Sequence, residues 1–128
     1  MSIENAIIAR VKALATGAGQ RVYREVIVQE PQLPAVAVSR TAGAGMARTL
    51  GNAPLLQRAT LRIETVGDTM AQVAPVAAAI VAGLDGWSGS VSGVTVLRAT
   101  LVQQQEQANA DGDRTLRVVQ QDFDFVFR

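Results

Sequence analysis

The chain has 128 residues, of which 48% are hydrophobic, a size and composition at which one domain spanning 1–128 can bury a core without staples. Twelve Lys and Arg against eleven Asp and Glu leave a net charge of +1, too little for a broad field that grips nucleic acid, acidic substrates or anionic membranes. There is no Cys and no His, which excludes Ser-His-Asp and Cys-His nucleophilic catalysis, disulfide frameworks and nearly all zinc chemistry. No apolar run reaches the roughly eighteen residues of a membrane span. Met1–Lys12 lacks the early positive charge and apolar block of a secretory signal, so a soluble, intracellular product is expected.

From Ser2 to Ala15, Ile3, Ile7, Val11 and Leu14 recur every three or four positions and line one side of an amphipathic helix. Ser2 can cap it, Glu4 suits its positive end, and Thr16-Gly17-Ala18-Gly19 stops it. Those glycines belong to a helix stop rather than a phosphate loop, because no GxxxxGK[ST] sequence follows. Arg21–Val28 reads as an edge strand, after which Pro31 and Pro34 bracket a connector. Ala35–Thr41 is a cleaner strand, with Val36 and Val38 pointing one way and Ala37 and Ser39 the other; it is expected to pair with the strand that follows.

Gly43 to Pro54 holds three glycines and a proline, a composition that suits a protruding arm. Met46, Leu50, Leu55 and Leu56 could cover the end of the core there, or dock a partner. Leu56–Val66 alternates again, with Ala59, Leu61, Ile63 and Thr65 on one face. A second helix follows Gly67, capped by Asp68, with Met70, Val73, Ala77, Ile80, Val81 and Leu84 as its inner stripe and Gly83 and Gly86 at its end. Pro75 lies about two turns in and predicts a kink or a later start.

Val94–Gln105 and Arg114–Arg128 are two long alternating runs around an Ala108–Asp113 turn, and so form a long C-terminal antiparallel hairpin. A two-residue Asp111-Gly112 turn would set Leu101 opposite Asp122 and scatter the apolar residues over both faces. Shifting by one, through an odd loop or a bulge, sets Leu101 opposite Phe123 and Ala99 opposite Phe125. Leu97, Ala99, Leu101, Phe123, Phe125 and Phe127 then share one face. The other face carries Arg98, Thr100, Gln104, Glu106, Gln120, Asp122 and Asp124, interrupted by Val96, Val102, Val118 and Val126. Past Gln103 the run Gln103–Gln107 is too polar to pack on a helix, so the hairpin should project, leaving Gln105 and Glu106 available to a neighbouring subunit. The class is α+β: two helices on one face of a mostly antiparallel sheet of about four strands, the other face open.

No residue set carries catalysis, a cofactor or a metal. Asp122 and Asp124 share a strand face, but without a third acid they read as a solvated pair. Asn109–Asp113 is turn chemistry rather than a calcium loop, since the closing glutamate is absent. Gly86-Trp87-Ser88-Gly89 has no histidine to activate its serine, and Trp87 reads as a lid over Leu84.

The order of the pieces goes further. The Ser-Ile-Glu-Asn-Ala-Ile helix at residues 2–7, Arg21-Val22-Tyr23, and Leu33-Pro34-Ala35-Val36-Ala37-Val38 resemble the tail-completion and tail-terminator proteins of long-tailed bacteriophages. So do Leu61-Arg62-Ile63-Glu64-Thr65 before Gly67-Asp68, Leu84-Asp85-Gly86-Trp87-Ser88-Gly89, Gly93-Val94-Thr95-Val96, and the ending Gln121-Asp122-Phe123-Asp124-Phe125. The resemblance covers essentially the whole chain. It implies a virion protein made in the host cytoplasm, a homo-oligomer forming a hexameric ring that caps the tail tube and joins it to the head. The implied partners are the major tail tube protein and the head-completion protein. DNA would pass through the lumen without specific binding, which favours a neutral or acidic lining, and Arg98, Asp122 and Asp124 are the candidates to line it. A head-completion or minor tail protein, or a sheet-dimerising small-molecule-binding domain, are the alternatives.

Overall fold

The computed structural model describes residues 2–14, 16–24, 33–42, 46–48, 54–111 and 114–128. In chain order the elements are α1 (Ile3–Ala13), β1 (Val22–Arg24), β2 (Ala35–Ala42), β3 (Met46–Arg48), β4 (Pro54–Gly67), α2 (Met70–Leu84), β5 (Gly89–Val91), β6 (Val94–Asp111) and β7 (Arg114–Phe127). The strands form one sheet in the order β1-β2-β4-β7-β6-β5, and β3 pairs with β4. Gln57 pairs with Met46 on one side and Phe127 on the other, so β3 lies on the β2 side of β4. The α+β class holds, while the expected sheet of about four strands has seven among the described residues. β1 is the described part of the edge strand expected at Arg21–Val28 and does lie at the sheet edge, while β3 and β5, three residues each, are too short for alternation to reveal them. β1 runs parallel to β2, and every other pairing is antiparallel.

Ser2 caps α1, its hydroxyl accepting the Asn5 N–H at 3.1 Å. The cap of α2 is Thr69 rather than Asp68. Its hydroxyl accepts the Gln72 N–H at 3.3 Å, while the Gln72 side chain reaches back to accept the Asp68 N–H at 2.8 Å, so the two ends of the first turn satisfy each other's donors. α2 starts at Met70 and runs through Pro75, so the helix does not begin after the proline. Gly83 lies inside α2 rather than ending it, and its role is close approach: a Cβ there would sit 2.3 Å from Leu14 Cδ2. Gly86, at φ +78°, makes the left-handed turn that leaves the helix.

One sheet face packs on both helices. Val36, Val38, Ala59, Leu61, Ile63, Phe123 and Phe125 of the strands join Ile3, Ile7 and Val11 of α1 and Val76, Ile80 and Leu84 of α2 in a single buried cluster. The expected register is present, with Leu101 opposite Phe123 and Ala99 opposite Phe125. It arises from a connection in which Asp111 faces Arg114, followed by an irregularity between Leu101 and Gln103 that leaves Val102 as an extra residue. A second irregularity, between Val96 and Arg98, leaves Leu97 unpaired. Two expectations change as a result. Val96 faces Phe127 and fills the core position expected of Leu97, which is 39% exposed. Past Val102 the alternation inverts, so Gln104 and Glu106 sit opposite Gln121 and Val119 on the helix side, not beside Asp122.

Candidate functional site

The sheet face away from the helices is the first candidate surface. Register puts Arg58, Thr60, Arg62 and Glu64 of β4 beside Gln120, Asp122, Asp124 and Val126 of β7, with Arg98 and Thr100 of β6 across from Val126 and Asp124. The three arginines and three carboxylates of this set cancel. Asp122 is not the solvated acid expected, since it is only 9% exposed. Its carboxylate accepts from Arg62 Nε at 3.1 Å and from Nη2 at 3.5 Å. That hydrogen bond holds the Arg62 guanidinium above its already high ordinary range, the nearby Asp122 and Glu64 charges acting the same way and burial opposing them. Asp124 is half-buried; it accepts from the Thr60 hydroxyl and lies 3.8 Å from Arg58 Nη2. Each acid therefore has its own cationic or hydroxyl partner, and the two do not converge on a shared ligand position. Arg98 is exposed.

The second candidate surface is the pair of projecting ends. β4 pairs with β7 from Gln57↔Phe127 to Gly67↔Arg117. Beyond Phe127, β4 continues to Pro54 with β3 at its side. Beyond Gly67, β6 and β7 continue as a two-stranded ribbon to Asp111↔Arg114. The two extensions leave opposite ends of the sheet. Of the residues expected at interfaces, Gln105 and Glu106 are exposed on β6, and Leu56 is half-buried in β4. Met46 lies in β3 and Leu55 in β4, whereas Leu50 falls outside the described residues. Structure thus separates the five described residues: Met46, Leu55 and Leu56 lie at the β3–β4 end, while Gln105 and Glu106 face Gln120 and Val119 where β4 still flanks β7, so the run Gln103–Gln107 lies along the sheet and only the hairpin beyond Ala108 projects.

Two clusters escaped sequence reasoning. Position alone gives Glu4 a place at the positive end of α1, but it is buried, and its carboxylate is shared by two strands. Oε2 accepts from Arg24 Nη2 of β1 at 2.9 Å, and Oε1 accepts from Arg40 Nε of β2 at 2.8 Å. With Ser39 these residues line an open depression, whose charges are spent on tying α1 to the sheet edge. The signal was present, because Glu4 sits beside Ile3 and one turn before Ile7 and Ile8, while Arg24 and Arg40 continue the inward alternation of Val22 and of Val36 and Val38. The second cluster joins the helices: Arg10 Nη2 donates to the Gly83 carbonyl at 3.0 Å, and its guanidinium stacks 4.7 Å from the Trp87 ring centre. The Trp87 side chain is half-buried and packs against the main core that includes Leu84, and its backbone N–H donates to the Leu84 carbonyl at 3.0 Å in the turn that follows α2.

Among the described residues no group of three or more acids could hold a metal ion, and no helix is long and apolar enough to cross a membrane. Comparison with known proteins finds the family model described as "Tail completion protein gp17" matching residues 5–128. A chain from the solved structure "Virion of native gene transfer agent (GTA) particle" is similar with a TM-score of 0.70 and 17% identity, over 98% of this chain and 94% of its own. A second solved chain has a TM-score of 0.57 and 18% identity, over 96% of this chain and 89% of its own. At these identities the two likenesses bear on the fold. No curated protein matches.

Proposed function

Because the chain belongs to the tail completion protein gp17 family, a family of structural virion components, we propose that it is a ring subunit closing the head-proximal end of a phage tail, with DNA passing through the lumen. The observation that carries this reading is the placement of the two extensions at opposite ends of one sheet. A subunit whose contact elements lie at opposite ends associates head to tail, and head-to-tail contacts close into rings when the rotation allows. The self-cancelling charges of the open face support its use near DNA. A lining in which Arg62 pairs with Asp122 and Arg58 lies beside Asp124, with Arg98 and Glu64 balancing in number, lets a polyphosphate slide, whereas an arginine stripe without acids would retain it. The gene transfer agent likeness places the same fold in a phage-like particle, which supports the virion setting.

The reading names the major tail tube protein and a head-completion protein as axial neighbours. Its test is the mass of the purified chain in solution across a wide concentration range, with images of the assemblies. A closed ring of fixed copy number, hexameric if the family resemblance carries through, is expected. A monomer or a two-fold dimer at every concentration refutes it. In particles lacking the protein, filled heads that fail to join tails are expected, and normal joining refutes the role. The alternative of a small-molecule-binding domain gains nothing from the depression at Glu4, where both arginines already face the carboxylate.

A further inference from the structure

We propose that the outer edge of β6, from Gln104 to Ala110, is completed by strand addition from β3 of a second copy of this chain. This rests on the reading of the protein as a ring subunit and names the contact that builds the ring. In the sheet order β6 has β5 as its outer neighbour, yet β5 covers only Val94–Val96. Further along, the turn after α2 covers the edge briefly: the Ala99 carbonyl accepts the Gly86 N–H at 2.8 Å, and the Leu101 N–H donates to the Asp85 carboxylate at 3.0 Å. These two bonds show that Ala99 and Leu101 direct their backbone groups away from β7. Past the extra residue Val102, alternation from the closing pair Asp111↔Arg114 turns Gln104, Glu106, Ala108 and Ala110 outward. No further backbone hydrogen bond to these residues is found among the described ones outside the β6–β7 ladder.

A monomer normally blunts such an edge with lysine or proline. Here the only lysine is Lys12, and no proline lies beyond Pro75. The two large apolar side chains exposed among the described residues, Leu97 at 39% and Val102 at 58%, sit on this same strand. β5 and the Asp85-Gly86 turn leave the run past Val102 open, so an incoming strand can add backbone hydrogen bonds there and cover Val102.

Charge and geometry select the occupant. Along β6 past Ala99 the charged residues are Glu106 and Asp111, and Arg114 of β7 already faces Asp111, whereas on the arm from Ala42 to Gln57 the one charged residue is Arg48. Glu106, which faces Val119 and no arginine across the ladder, and Arg48 of a neighbour's arm are complementary charges. The arm leaves the sheet at the Phe127 end, while the run Gln104–Ala110 lies toward the other end on the far side of β7, so the arm of the same chain does not meet this edge and the arm of a neighbour can. Among the described residues β3 pairs with β4 alone, so its other edge is the one offered to β6.

The test uses the full chain. Glu106→Pro removes an outward N–H while sparing the ladder to β7, so the fold, read by circular dichroism, should persist while the apparent dissociation constant for assembly rises by about tenfold or more. Glu106→Arg and Arg48→Glu should each weaken assembly, and the two together should restore it. Because the chain has no cysteine, Glu106→Cys and Arg48→Cys can be made singly and mixed under oxidation. Cross-linked dimers should form in the mixture and in neither variant alone. Assembly of all the variants at parental strength, with no cross-link in the mixture, overturns the strand addition while leaving the ring intact. Cross-linking of Glu106→Cys with itself overturns the head-to-tail arrangement in favour of symmetric edge pairing. A parent that stays monomeric overturns this inference together with the ring.

Discussion

Phe125 is fully buried, and its ring stacks on Phe123 with centroids 6.1 Å apart. Its neighbours across both strands are alanines, Ala59 on β4 and Ala99 on β6, so no flanking side chain is long enough to fill the space that truncation would leave. Phe125→Ala should therefore fall in the upper half of the range for buried aromatic truncation, about 4 kcal/mol, part of it the lost ring contact. For a chain of this length such a loss lowers the melting temperature by roughly 12–20 °C. Denaturant unfolding at a fixed protein concentration measures it, since assembly makes melting concentration-dependent. Val126→Ala, next along β7 on the open face and only half-buried, is the paired control and should cost about 1 kcal/mol. Equal losses for the two variants, or a loss below about 1.5 kcal/mol for Phe125→Ala, would refute the assignment of the core to this face.

Glu4→Gln should destabilise by about 1–2 kcal/mol, discounted because both arginine partners are nearly half exposed, and Arg24→Gln with Arg40→Gln in the Glu4→Gln background should cost less than in the parent; additive losses in a thermal-melt cycle contradict the clamp. Gly83→Ala places a methyl group against Leu14 and should cost about 1–3 kcal/mol, and an unchanged denaturation midpoint would mean that the helices part freely. Asp122→Asn should destabilise more than Asp124→Asn, because the first acid is the more buried and accepts two bonds from Arg62; the reverse order in urea unfolding contradicts that ranking.

Periodicity in the sequence was sufficient for the helix of Ile3, Ile7 and Val11, for the β4 face of Ala59, Leu61, Ile63 and Thr65, and for the pairing of Leu101 with Phe123. Each repeats a period over enough residues that a one-step error would turn apolar groups to water. The missing histidine and cysteine likewise exclude chemistry at any fold. Tertiary structure decided what periodicity cannot encode. Three-residue strands have no period, so β3 and β5 leave no alternation to read, and their places are set by the neighbouring strands that offer backbone partners. A bulge is a single extra residue, and the one at Val102 moved Gln104 and Glu106 to the opposite face without any compositional mark. Glu4 meets Arg24 and Arg40 across separations of 20 and 36 residues, and Arg62 meets Asp122 across 60. Which charges pair depends on the strand order β1-β2-β4-β7, and that order is set by the burial of one whole sheet face under two helices rather than by any local run of residues.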